Sequence, residues 1–101
     1  MRSKLLVLAF LVIGVPTAMA VVGGGDVEFK VSGAGPVIFS HESHVGVHFQ
    51  ACTDCHAELF TTRTQHKPVS MAQMEKGASC GACHNGTRAF SVKDNCQVCH
   101  Q

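Results

Sequence analysis

The chain has 101 residues, with eight Lys or Arg, seven Asp or Glu and a formal charge of +1. That even balance, with no basic run to track a phosphate backbone, sets nucleic acid aside as a partner. With no Trp or Tyr and only six Phe, a chain of this length lacks the bulky apolar material for a generous core.

Residues 1–20 read as an export leader. Arg2 and Lys4 form a positive n-region, Leu5 to Val15 an apolar run, and Ala18-Met19-Ala20 an A-x-A cleavage site. The run is short for a bilayer span and is broken by Gly14 and Pro16, which makes a retained anchor the weaker reading. No cysteine lies at the junction to take a lipid. The expectation is cleavage after Ala20, leaving a single exported domain over residues 21–101 with no stable membrane insertion. That segment carries six Lys or Arg against seven Asp or Glu, a net charge of −1.

Val27-Glu28-Phe29-Lys30-Val31 alternates apolar and polar, the period of a half-buried strand. Ser32 to Pro36 is turn chemistry, and Val37-Ile38-Phe39 follows as a second short strand. Such a hairpin alone is marginal in water. It runs directly into Phe39-Ser40-His41-Glu42-Ser43-His44. Further on, Ser70 with Gln73 makes a capping box and Gly77 a stop signal, which predicts a short helix bearing Met71 and Met74 on one face.

The six cysteines fall in three copies of one pattern: Cys52-Thr53-Asp54-Cys55-His56, Cys80-Gly81-Ala82-Cys83-His84 and Cys96-Gln97-Val98-Cys99-His100. Cys-x-x-Cys-His is the attachment motif of c-type haem. Two thiols add across the two porphyrin vinyl groups, and the histidine that follows is delivered beneath the iron as proximal ligand. A disulfide framework would suit a small exported chain, but it gives no reason for a histidine after every second cysteine. Structural zinc uses the same donors, yet it pairs such knuckles, and three leave a remainder. Three covalent haems, with iron held by His56, His84 and His100, also answer the missing core: the porphyrins become the interior.

A low-spin carrier needs a second axial ligand on each iron. His41, His44, His48 and His66 remain, with Met71 and Met74. His41 and His44 follow a strand end at i, i+3 spacing just ahead of the first motif, and both are read as ligands, each to a different iron. Two methionines at i, i+3 are more often packing residues than ligands, but one can ligate while the other packs on the ring.

The hairpin, Phe39-Ser40-His41-Glu42-Ser43-His44 and three Cys-x-x-Cys-His motifs, together with Met74-Glu75-Lys76-Gly77-Ala78-Ser79-Cys80-Gly81-Ala82-Cys83-His84-Asn85-Gly86, resemble the trihaem cytochrome c7 family, reduced relatives of the tetrahaem cytochromes c3. The resemblance spans residues 26–101. It implies a small irregular multihaem fold, with a short N-terminal two-stranded β-hairpin and a few short α-helices wrapped around three c-type haems. It implies that His41 serves the haem on Cys52 and Cys55, and His44 the haem on Cys80 and Cys83. For the haem on Cys96 and Cys99 the all-histidine members place a ligand shortly before the second motif, whereas this chain has no histidine between Lys67 and Cys83. Methionine serves there in some c7-type domains, so Met74 is the expected ligand, with Met71, His66 and His48 as alternatives.

The implied role is that of a periplasmic electron carrier in anaerobic metal or sulfur respiration. It would stand, as a monomer, between an inner-membrane quinol-oxidising cytochrome and an outer-membrane cytochrome or terminal reductase. The alternative is a multihaem reductase, or a nonspecific metal-ion reductase with a labile sixth ligand. No clustered pocket residues accompany any motif to support that chemistry, and the expectation is a carrier without catalytic residues.

Overall fold

The computed structural model describes residues 14–101. Most of the predicted leader, residues 1–13, lies outside the described residues; residues 14–20 are exposed and have no regular secondary structure. Among the described residues no helix is long and apolar enough to cross a membrane.

A 3-10 turn at Val22–Gly24 leads into the hairpin. Strands β1 (Val27–Phe29) and β2 (Val37–Phe39) pair antiparallel, with Val27 opposite Phe39, Glu28 opposite Ile38 and Phe29 opposite Val37. Val27, Phe29, Val37 and Phe39 share the half-buried face and Glu28 and Ile38 the exposed one, as the alternation requires. The sequence pattern extends the first strand to Val31, but pairing stops at Phe29. The next partner in register is Pro36, which has no N–H to give a ladder. Its carbonyl turns instead to the C-terminus and accepts from the Gln101 N–H at 3.0 Å. Next to it, Val37 makes an antiparallel bridge with His100.

After β2 the chain enters a six-residue π-helix, Glu42–Val47. Three α-helical segments follow: α1 (Cys52–His56), α2 (Met71–Met74) and α3 (Cys96–Cys99), with a 3-10 helix at Ser79–Ala82. The predicted cap of α2 forms in full. Ser70 Oγ accepts from the Gln73 N–H at 3.3 Å, and Gln73 Oε1 accepts from the Ser70 N–H at 3.0 Å. At its far end Gly77, at φ 97°, sends its N–H to the Met74 carbonyl, while the Ala78 N–H reaches the Gln73 carbonyl. This is the left-handed Schellman stop for which glycine is suited.

Val92 is the one buried apolar residue among those described, and no side chain is fully enclosed. Hydrophobic burial on that scale cannot offset the entropy of ordering some eighty residues, each costing about 1–2 kcal/mol in backbone freedom alone. The six-cysteine-to-alanine chain, unable to attach haem, is therefore expected to show no cooperative thermal transition by circular dichroism, whereas the haem-bearing protein shows one. Cooperative melting of the cysteine-free chain would remove haem as the folding trigger.

Candidate haem-binding site

Each motif sits on a helical turn, which brings residues i and i+3 to one face. Cys52 and Cys55 are so placed by α1, Cys96 and Cys99 by α3, and Cys80 by the 3-10 helix that ends just before Cys83. Asp54 steadies the entry to α1, its carboxylate accepting from the Ala51 N–H at 2.8 Å. All six cysteines are free. The described residues contain no cluster of three or more His, Cys, Asp or Glu that would enclose a single metal ion.

Burial pushes the Cys55 thiol up, reinforced by Cys83, Asp54 and Cys80. Burial likewise raises Cys99, with Cys80 and Cys96 adding to it.

The histidines carry the most informative geometry. Five of them give their Nδ1–H to a backbone carbonyl: His41 to Gly25 at 2.6 Å, His44 to Ser40 at 2.9 Å, His56 to Phe60 at 2.6 Å, His84 to Phe90 at 3.0 Å and His100 to Gly35 at 2.9 Å. A carbonyl can only accept, so in each ring Nδ1 is the donor, and the neutral ring then offers its Nε2 to a metal. Among the described residues neither His48 nor His66 has such a bond. His48 is exposed, and His66 packs against Phe60 and Phe29, at centroid distances of 5.4 and 5.7 Å.

Four of the five rings form two facing pairs. The centroids of His41 and His56 are 6.4 Å apart with planes at 17°, and those of His44 and His84 are 6.1 Å apart with planes at 72°. Two metal–nitrogen bonds of about 2 Å each, plus the ring radii, put imidazole centres about 6 Å apart across a shared metal. Phe39 touches both upstream rings, stacked on His44 at 4.3 Å and edge-on to His41 at 5.0 Å. His100 faces no other histidine among the described ring contacts. Met74 is half-buried against the second motif, its Cγ 3.2 Å from where a Cβ on Gly81 would stand, whereas Met71 is 40% exposed.

Thiol pairs, adjacent imidazoles with free Nε2 atoms and an interior without apolar filling all fit haem attached through the cysteines. The chain belongs to the cytochrome c7 family. The pattern described as cytochrome c7 and related cytochrome c matches residues 37–101. A c7-type three-haem cytochrome domain is 45% identical, with a TM-score of 0.69 over 76% of this chain and 93% of that one. The C-terminal hexahaem fragment of a dodecahaem cytochrome c is 46% identical, with a TM-score of 0.68 over 75% of this chain and 47% of the fragment. The whole dodecahaem cytochrome is 44% identical, with a TM-score of 0.67, and this chain spans 25% of it. No curated protein matches the sequence.

As a c7-type domain the chain carries three covalently attached haems c, and its function is electron transfer between redox partners. The carbonyls of Gly25, Gly35, Ser40, Phe60 and Phe90 were invisible in the sequence, because a backbone acceptor has no side-chain signature. The glycine run at 23–25 is the sole local hint of any of them.

Gly81 makes a further requirement of the site. A Cβ there would run into the Met74 carbonyl. Gly81→Ala is expected to lower the thermal stability of the haem-bearing protein by about 1–3 kcal/mol, the usual cost of overpacking, as read from its melting curve.

Proposed function

We propose that this cytochrome c7 is a periplasmic electron carrier, exported by cleavage after Ala20, whose residues 21–101 hold three six-coordinate haems. His41 and His56 take the iron of the haem on Cys52 and Cys55. His44 and His84 take that on Cys80 and Cys83. His100 and Met74 take that on Cys96 and Cys99. The observation that carries this reading is the set of five imidazoles with Nδ1–H bonded and Nε2 free, four of them in facing pairs.

When bound, each haem supplies an iron that exchanges one electron between ferric and ferrous states. The chain's residues set the ease of that exchange. Carbonyls on Nδ1–H make the imidazoles stronger donors, which favours the ferric form. A methionine thioether favours the ferrous form and raises the potential, so the Met74 site would fill first and give the domain an electrochemical direction. Met74 is preferred to Met71 because it is half-buried against Gly81 while Met71 is 40% exposed. His66 is disfavoured by its place against two phenylalanine rings. The proposed partners are an inner-membrane quinol-oxidising cytochrome on one side and an outer-membrane cytochrome or terminal reductase on the other, met transiently by a monomer.

The near-infrared spectrum of the oxidised protein tests the third site. A sulfur-to-iron charge-transfer band is expected in the wild type and is expected to vanish in Met74→His, with that haem's potential lowered. A wild-type spectrum without the band overturns methionine ligation and brings His66 forward. The two histidine pairs should also differ in paramagnetic resonance: the near-parallel rings give an ordinary rhombic low-spin signal and the near-perpendicular rings a strongly anisotropic one. Two identical rhombic signals would count against these pairings. Carbon monoxide should not bind the reduced wild type, whereas His44→Ala should bind about one equivalent per chain, as expected when one of the two axial ligands on an iron is lost.

A further inference from the structure

Three of the five histidine–carbonyl bonds are local. His44, His56 and His84 find their acceptors four, four and six residues away. The other two reach across the fold: His41 to Gly25, 16 residues upstream, and His100 to Gly35, 65 residues upstream. Both acceptors lie before residue 37, where the family match begins. Space demands glycine around each of them, and at Gly23 and Gly25 the positive φ values of 61° and 96° demand it as well. Gly23 has φ 61°, and a Cβ on it would collide with the His41 imidazole. A Cβ on Gly35 would collide with the Gln101 carbonyl, at the point where the C-terminus closes onto Pro36.

We propose that Gly23, Gly25 and Gly35 form a positioning element for two of the three haems, with Gly23 and Gly25 orienting the His41 ring and Gly35 orienting His100. The haem on Cys80 and Cys83 is independent of it, because His44 and His84 take their acceptors from Ser40 and Phe90. The proposal rests on His41 and His100 being iron ligands. None of these glycines touches iron; each acts through an imidazole. A carbonyl drawing on Nδ1–H gives the ring partial imidazolate character and strengthens its donation to ferric iron. Loosening that bond therefore raises the potential of the haem concerned and leaves its cysteine attachments intact. The sequence before residue 37 thus offers a way to set the potentials of the first and third haems while the second stays constant as an internal reference.

The test is a redox titration of the haem-bearing protein followed by proton NMR, in which the paramagnetically shifted methyl groups report each haem separately. Gly23→Ala is expected to raise the midpoint and move the methyl shifts of the haem on Cys52 and Cys55. Gly35→Ala is expected to do the same for the haem on Cys96 and Cys99. In both, the haem on Cys80 and Cys83 keeps its wild-type midpoint. Gly33→Ala is the control: it has φ 76°, but a Cβ there meets nothing within 4 Å, so backbone strain without a collision should move no haem. Midpoints unchanged in Gly23→Ala and Gly35→Ala, or all three shifted alike, overturn the proposal. If either variant fails to mature with three haems, the wild type decides by nuclear Overhauser contacts from Gly23 Hα to the His41 ring and from Gly35 Hα to the His100 ring. Their presence supports the element and their absence overturns it. The underlying ligand reading fails differently, through a His41→Ala protein whose reduced haems still refuse carbon monoxide.

Discussion

The Nδ1–H···O=C bond is the interaction on which the arrangement of this cytochrome depends. With Val92 as the single buried apolar side chain among the described residues, packing among side chains cannot orient anything. The imidazoles are oriented by backbone carbonyls instead, and each such bond fixes a tautomer, a ring plane and the direction of Nε2 together. Five of these bonds turn a chain with little interior of its own into a frame of oriented imidazoles. The porphyrins then supply the apolar volume that the side chains do not.

The turn after β2 places two histidines three residues apart beside the histidines of different motifs. In an α-helix, residues i and i+3 stand about 60° apart around the axis. Here the His44 N–H reaches the Ser40 carbonyl in that α register, and the π register follows with the His48 N–H bond to the Ser43 carbonyl. The His41 ring lies beside His56 and the His44 ring beside His84. Phe39, the last residue of β2, lies against both rings and presents a face to one and an edge to the other. The near-parallel and near-perpendicular ring pairs thus arise at one strand end. Under the proposed pairings, two haems with the same ligand types would meet different ligand geometry.

The ends of the chain are joined through the hairpin turn. Gly35 and Pro36 lie where a longer strand would have continued, and Pro36 cannot donate to the opposite strand. Their carbonyls are therefore available to the C-terminal His100 and Gln101. Truncating the ladder at Phe29 is what frees the acceptors that hold the third motif. The same economy appears at Gly77, where the stop of α2 turns the chain so that Met74 faces the second motif at Gly81.

Much of this protein was legible in its residues. Alternation announced the first strand, an apolar run after turn residues the second, Ser70 and Gln73 the α2 cap, and Cys-x-x-Cys-His the haem attachment, because each is a local rule in which neighbours in sequence are neighbours in space. The candidacy of His41 and His44 was also readable, from their spacing and their place before the first motif. The tertiary structure alone decided which histidines face one another and at what ring angle. It also set Met74 apart from Met71 by burial, placed His66 against Phe29 and Phe60, and gave Gly25 and Gly35 to His41 and His100. Those facts join residues up to 65 positions apart through main-chain oxygens. A carbonyl is the same atom in every residue, so no pattern of side chains can announce which one will be used.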